Sequence, residues 1–310
     1  MLIGLWAVGA GDAVDAQHWL ARARDRAAPL HDAYVNAVLR YAEAERDGTA
    51  ADIIRYAGAV LDLRPRAWRM QLAGHCGDAA DLLATGWRDW YASVTAAAAR
   101  LREDVDHLFV AGLSMGAILA LKLAIDRPHD VDGLGLYGTT FFHDGWATPP
   151  IGRLAFLLPL LTSLGFGRDR VSAEVEPYGI KDERIRNRVV GAMLSGDSQA
   201  AGLAGFPWPS LAEFQRLSRH VRHRLGRVHA PCFVAHSSDD DVASLRNVRA
   251  IERGVGAPVE TLLLDDSYHM VTVDQERGKL IERSAAFFRR IAEQRALEPP
   301  QGARLATATE

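Results

Sequence analysis

Residues 112–116 read Gly-Leu-Ser-Met-Gly. A serine with glycine two residues before and two after suits a sharp strand-to-helix turn, in which small neighbours keep side chains out of the bend. Such a turn holds the Ser114 hydroxyl at a strand end and beside a helix N-terminus, where backbone N–H groups favour developing negative charge. The Met115 N–H is the first candidate to receive it. The chemistry this suits is nucleophilic attack. A serine hydroxyl is a poor nucleophile without a general base, and the base needs a group that fixes its tautomer. Both are available downstream. An apolar run ending in His236 leads into Ser237-Ser-Asp-Asp-Asp-Val242, and one ending in Leu264 leads into Asp265-Asp-Ser-Tyr-His-Met270. Three aspartates compete for the acid. The pattern of His, three residues, Asp, any residue, Val favours Asp240, with Asp239 second and Asp241 third. The losers are expected as solvated loop charges or helix caps. His269 follows a strand one element after the acid, where the base must stand. Of the other histidines, His220, His223 and His229 lie in an Arg-rich stretch that reads as a solvated basic face, and His75 reads as a turn residue.

These residues need a scaffold. Val105–Ala111 is a buried-strand run before the serine turn, and Ala117–Asp126 is helical after it, stopped before Pro128. Val131–Tyr137 is the next strand. Strand, helix and strand at this spacing form a βαβ unit of a parallel sheet. Ala84–Arg102 carries Trp87, Trp90, Val94 and Ala98 at helical spacing. Residues 139–210 break the alternation, with helices expected over Ile151–Leu164 and Ile185–Met193. The rhythm resumes with helix Leu211–Leu225, strand Pro231–His236, helix Leu245–Arg253, strand Val259–Leu264 and helix Gln275–Gln294. Upstream, helices are expected over 17–24, 32–46 and 51–63, with a short strand over 68–72. The organisation expected is an atypical helical segment over 1–47, a core over 48–138 and 211–294, a cap insertion over 139–210 and a disordered tail over 295–310.

The chain has 310 residues, 48% hydrophobic and 24% charged, with formal net charge -3. A chain this long buries roughly 75% of its unfolded surface and needs no staples. A dedicated nucleic-acid binder would carry a strong excess of Lys and Arg, so none is expected. Cys76 and Cys232 make no metal or disulfide framework and read as small buried hydrophobes. No apolar run approaches the roughly 20 residues that span a bilayer. The apolar start Met1–Ala10 lacks a positive flank. A cytoplasmic protein without stable membrane insertion is the expectation.

Gly-Leu-Ser-Met-Gly, His-Ser-Ser-Asp-Asp-Asp-Val-Ala-Ser and Leu-Leu-Asp-Asp-Ser-Tyr-His-Met together resemble the α/β-hydrolase superfamily, in its branch of bacterial carboxylesterases related to monoacylglycerol lipases. Leu72-Ala-Gly-His-Cys-Gly77 is similar to the Pro-Gly-His-Gly loop of that branch, and Trp87-Arg-Asp-Trp90 to its helix before the serine strand. The resemblance covers about residues 48–291. It implies a mostly parallel sheet flanked by helices, with a helical cap. It implies Ser114 as nucleophile, Asp240 as acid and His269 as base. Hydrolysis of a small-molecule ester through an acyl-enzyme follows, with no metal or cofactor. Phe141, Phe142 and Leu157 in the insertion are apolar enough to line an acyl pocket, with plain packing as the competing role. One departure stands out. The branch carries a His-Gly strand end that supplies a second oxyanion N–H, and residues 38–48 hold none. Losing one such donor costs on the order of 100- to 1000-fold in turnover. The competing reading is therefore an impaired α/β-hydrolase-fold binding protein.

Overall fold

The computed structural model describes residues 79–102, 107–194 and 204–296. The elements expected over 17–72, the loop holding His75 and Cys76, and most of the expected tail lie outside the described residues.

Along the chain, α1 (Ala79–Ala84) precedes α2 (Trp87–Arg102), which is the helix expected over 84–102 with its start three residues later. The break falls at Thr85-Gly86, where the Gly86 N–H is capped by Asp89 Oδ2 at 2.9 Å. Next come β1 (Phe109–Leu113), α3 (Met115–Asp126) and β2 (Gly133–Tyr137). The expected helix over 151–164 is divided into a 3-10 helix (Pro150–Leu157) and α4 (Leu158–Ser163). Pro159 lies in the first turn of α4, where its missing N–H costs no intrahelical bond. Then follow β3 (Val171–Ala173), α5 (Glu183–Leu194), β4 (Gly205–Pro207) and α6 (Trp208–Arg222). β3 and β4 pair antiparallel in a small ribbon that the sequence reading lacked. A 3-10 turn (Leu225–Arg227) leads to β5 (Cys232–Ser237), α7 (Arg246–Gly254), β6 (Val259–Leu264) and α8 (Arg277–Ala296).

β1, β2, β5 and β6 form one sheet in that order, every pair parallel. Parallel strands joined by helices are covered on both faces, and every residue of β2 and β5 is buried. On one face Tyr137, Phe233, Ala235 and Leu264 pack with Leu280, Phe287 and Ile291 of α8. Full burial of such a side chain contributes roughly 1.5–3 kcal/mol. The Tyr137 hydroxyl donates to Ser284 Oγ of α8 at 2.9 Å within this packing. α3 is apolar nearly all round and buried along its length. Its Lys122 ammonium is paired with Asp126 and stacked on the Tyr91 ring at 4.4 Å.

The register aligns the strand ends. Leu113 faces Tyr137, Tyr137 faces Ala235, and Ser237 faces Leu264. Segments leaving β1, β2, β5 and β6 therefore emerge along one edge. In open parallel sheets the C-terminal edge is where ligands bind. No helix among the described residues is long and apolar enough to cross a membrane.

Candidate active site

Ser114 follows the last residue of β1. Its backbone has φ 54° and ψ -115°, a sparsely populated region that costs a non-glycine residue of order 1–3 kcal/mol. Neighbouring bonds impose it. Ser114 N donates to Tyr137 O at 2.8 Å, and Ala117 N donates to Ser114 O at 3.2 Å. A Cβ on Gly112 would stand 2.1 Å from the Gly116 carbonyl carbon, so only glycine fits there. Gly116 differs from the expectation, because nothing among the described residues lies within 4 Å of a Cβ added to it. Met115 is buried and opens α3, so its N–H stands at the positive end of the helix dipole.

Asp240 lies in the turn after β5. It is 4% exposed, and its carboxylate is surrounded by donors. Oδ1 accepts the N–H groups of Val242 at 2.9 Å and Ala243 at 2.7 Å. His269 Nδ1 stands 2.9 Å from Oδ2 and 3.1 Å from Oδ1. His236 Nε2, bonded to Ala243 O at 2.7 Å, lies 3.2 Å from Oδ2. Burial alone raises a carboxyl pKa. Here His269 and the backbone donors outweigh it and hold Asp240 below the usual range. Of its two rivals, Asp239 is exposed. Asp241 is neither solvated nor a cap: it is 2% exposed and bridges two backbones. It accepts His269 N at 3.2 Å and Gly179 N at 2.9 Å. Burial pushes its carboxyl up, with His269 opposing.

His269 lies in the loop after β6, clamped from outside. Met270 N donates to Gly179 O at 2.7 Å. The buried Asp274 carboxylate accepts the N–H groups of Lys181, Asp182, Tyr268 and Gln275 at 2.8 to 3.0 Å. Gly138, at φ +48°, packs against the ring. With Nδ1–H donated to Asp240, neutral His269 leaves Nε2 as an acceptor. Burial lowers its pKa, but the charge and hydrogen bond of Asp240 dominate and raise it above the ordinary value. Asp241 and Glu174 add in the same direction.

The nucleophile candidate is not joined to the base. Among the described residues, the Ser114 Oγ hydrogen bond is to Thr140 Oγ1 at 3.1 Å. Sequence reasoning missed Thr140, Asp274, Glu174 and His143, and weighed Asp241 only as the third candidate for the acid. Glu174 follows β3, and burial raises its carboxyl pKa. Burial pushes the His143 imidazole down to about 4, with the charge of His269 adding to it. Both feel His269, yet each is remote from it in the sequence.

The three residues expected to line an acyl pocket stand in different settings. Phe141 is 2% exposed and its carbonyl accepts Ser218 Oγ, so it is packed in the core. Phe142 is clamped by Asn247, which accepts its N–H and donates to its carbonyl. The guanidinium groups of Arg222 and Arg246 lie over its ring, 4.6 Å and 3.7 Å from the centroid. Leu157 is 37% exposed at the end of the 3-10 helix. Leu154, Phe156, Leu160, Leu164 and Phe166 around it are more exposed still. Residues 142–148 are stitched to the acid turn. Gly145 N donates to Val242 O, Ala147 N to Asp241 O, and Ser244 N to Asp144 Oδ1, at 2.9 to 3.1 Å. No group of three or more His, Cys, Asp or Glu suited to a metal ion occurs among the described residues. Burial pushes the Cys232 thiol up to about 12, as suits a small core residue.

The model of the family described as serine aminopeptidase, S33 matches residues 70–276. The thermostable monoacylglycerol lipase of Bacillus sp. (strain H-257) is 26% identical over 219 residues, covering 70% of this chain and 77% of the relative. A solved structure from work on LipS and LipT, two metagenome-derived lipolytic enzymes, is 27% identical. It superposes with a TM-score of 0.56 over 71% of this chain and 80% of its own. The monoacylglycerol lipase of Paleococcus ferrophilus, at 12% identity and a TM-score of 0.53, shares the fold over 66% of this chain and 75% of its own.

Proposed function

Because the chain belongs to the serine aminopeptidase S33 family of α/β-hydrolases, we propose that it hydrolyses carboxylic esters with Ser114 as nucleophile, His269 as base and Asp240 as the acid behind the base. The observation that carries this reading is the Asp240–His269 pair at 2.9 Å, set on the same sheet edge as the strained Ser114 turn. A buried imidazole whose Nδ1–H is held by a carboxylate keeps Nε2 ready to take a proton, and the carboxylate stabilises the imidazolium that results.

The steps balance as acyl transfer. Ser114 Oγ attacks the ester carbonyl while its proton passes to His269 Nε2. The Met115 N–H faces the developing oxyanion. The C–O bond to the alcohol breaks and the alcohol leaves with the proton from His269. Water, deprotonated by the same imidazole, then attacks the acyl-enzyme, the acyl–Oγ bond breaks as His269 returns the proton to Ser114 Oγ, and the acid is freed. We take residues 139–210 as a cap over this edge. Exposed Leu154, Phe156, Leu160 and Leu164 on it suit an aliphatic acyl chain. The lipolytic names of the relatives suit a short- to medium-chain or monoacylglycerol-like ester.

Turnover of p-nitrophenyl butyrate by the purified chain tests the reading. Ser114→Ala should lower kcat by on the order of 10⁴- to 10⁶-fold. Retained turnover would overturn the assignment. The second reading, an impaired binding protein of the same fold, draws on Ser114 being bonded to Thr140 rather than to His269. A wild-type chain inert to both the ester and a fluorophosphonate would establish it.

A further inference from the structure

We propose that Thr140 holds the reactive hydroxyl in a resting position, so that the reaction begins with a switch of the Ser114 hydrogen bond from Thr140 to His269. The inference deepens the hydrolase reading and rests on it.

It follows from counting hydrogens. A threonine hydroxyl has one hydrogen and can accept as well as donate. Thr140 Oγ1 donates to Gly138 O at 3.0 Å, a carbonyl that can only accept. Its hydrogen is thereby committed. By distance alone either hydroxyl could donate in the 3.1 Å contact between Thr140 Oγ1 and Ser114 Oγ, and with the threonine hydrogen on the Gly138 carbonyl the donor is serine. The hydrogen that His269 has to remove points instead along a relay from Ser114 to Thr140 to the Gly138 carbonyl.

The acceptor is fixed in place. Thr140 is 0% exposed, so bulk water does not compete for it, and its β-branched side chain is stiff about χ1. The backbone on both sides is tied down. Gly138 N donates to Ala235 O at 2.9 Å, the Phe141 carbonyl accepts Ser218 Oγ, and Asn247 clamps Phe142. Ser114 by contrast is free to turn about a single side-chain bond. One rotation would carry its hydroxyl from Thr140 toward the ring of His269, which packs on Gly138, two residues before Thr140. The attacking form is then a minor state, and the observed rate is scaled by the fraction of molecules in it.

The rate at which a fluorophosphonate modifies Ser114 reads that fraction directly, with the site identified by mass spectrometry of the Ser114 peptide. Thr140→Val keeps the shape and removes the acceptor. It should speed labelling by about 2- to 10-fold, the range set by the net strength of one neutral hydrogen bond. Thr140→Ser restores the acceptor and should return the slower wild-type rate. The midpoint of the pH dependence should stay put, because the groups facing His269 are untouched: Asp240, Asp241, Glu174, His143 and His236. Labelling that is equal or slower in Thr140→Val overturns the proposal. If melting shows that Thr140→Val does not fold, Thr140→Ala makes the same comparison. A wild-type chain that is never labelled at Ser114 defeats the hydrolase reading instead. A crystal structure of the unliganded protein decides the resting contact independently of labelling. Ser114 Oγ on Thr140 supports the proposal, and Ser114 Oγ on His269 Nε2 overturns it.

Discussion

The acid–base half of the site and the nucleophile half are built on opposite plans. Asp240 and His269 take their positions from side-chain and backbone partners on several segments. The Val242 and Ala243 amides hold the carboxylate, while Asp241, Asp274 and the Gly179 carbonyl hold the histidine loop. Ser114 is fixed through its backbone, in a conformation imposed by the turn, and among the described residues its side chain has one neutral hydrogen bond. The difference follows from charge. A carboxylate at 4% exposure has to be satisfied by fixed donors or it becomes protonated. A hydroxyl carries no such demand and can exchange one acceptor for another at little cost.

The comparison can be tested where it should matter most. Asp240→Asn keeps the shape of the acid and removes its charge. It should lower kcat for p-nitrophenyl butyrate by on the order of 10⁴-fold with a nearly unchanged melting curve. A loss below about 10-fold would move the charge to Asp241 or Glu174 and dissolve the distinction between the halves. Asp274→Ala strips the acceptor from four buried or half-buried amides. It should destabilise the chain by about 3 kcal/mol in urea titration. An unchanged midpoint would mean that the histidine loop is not held from outside. The smallest effect is in pH. The base must be neutral to act, and its pKa is raised. The acid limb of kcat/KM should therefore lie above the ordinary histidine value of about 6.5 and move down in Asp240→Asn. The same shift favours the folded state below about pH 6.5, a contribution lost as pH rises through the folded pKa. A limb at or below the ordinary value would show that burial, not Asp240, governs His269.

Much of the scaffold could be read from periodicity. Val259–Leu264 is a strand with the expected bounds, because an apolar run between turn residues in a parallel sheet leaves little choice. β1 runs to Leu113 instead of stopping at Ala111, since Gly112 and Leu113 continue the ladder with Leu136 and Tyr137. Pro159 begins a new helix inside the one expected over 151–164, and Thr85-Gly86 delays the start of α2 to Trp87. The ribbon of β3 and β4 left no periodic signal, with three residues on each strand and 31 residues between them. The pairing of Asp240 with His269 matches the order of motifs along the chain. Asp241 could have been found only in part. It stood as the third candidate for the acid, and its partners Gly179 and His269 lie 62 and 28 residues away. Thr140 gave no signal, because a hydroxyl becomes informative only when its neighbours are known.

The stitching of 142–148 to the acid turn has a mechanical consequence. Under the proposed cap, entry of a bulky ester would displace part of the chain beyond this stitched stretch. Thr148 is as far as the bonds to Val242 and Asp241 extend on one side, and Gly179 is anchored by Asp241 on the other. The stretch between these two anchors is bonded to α6 instead, with Trp208 N donating to Arg170 O and the Arg216 guanidinium to Pro159 O. Movement there would leave the carboxylate–imidazole alignment undisturbed, because the bonds to Asp241 and Val242 lie outside it.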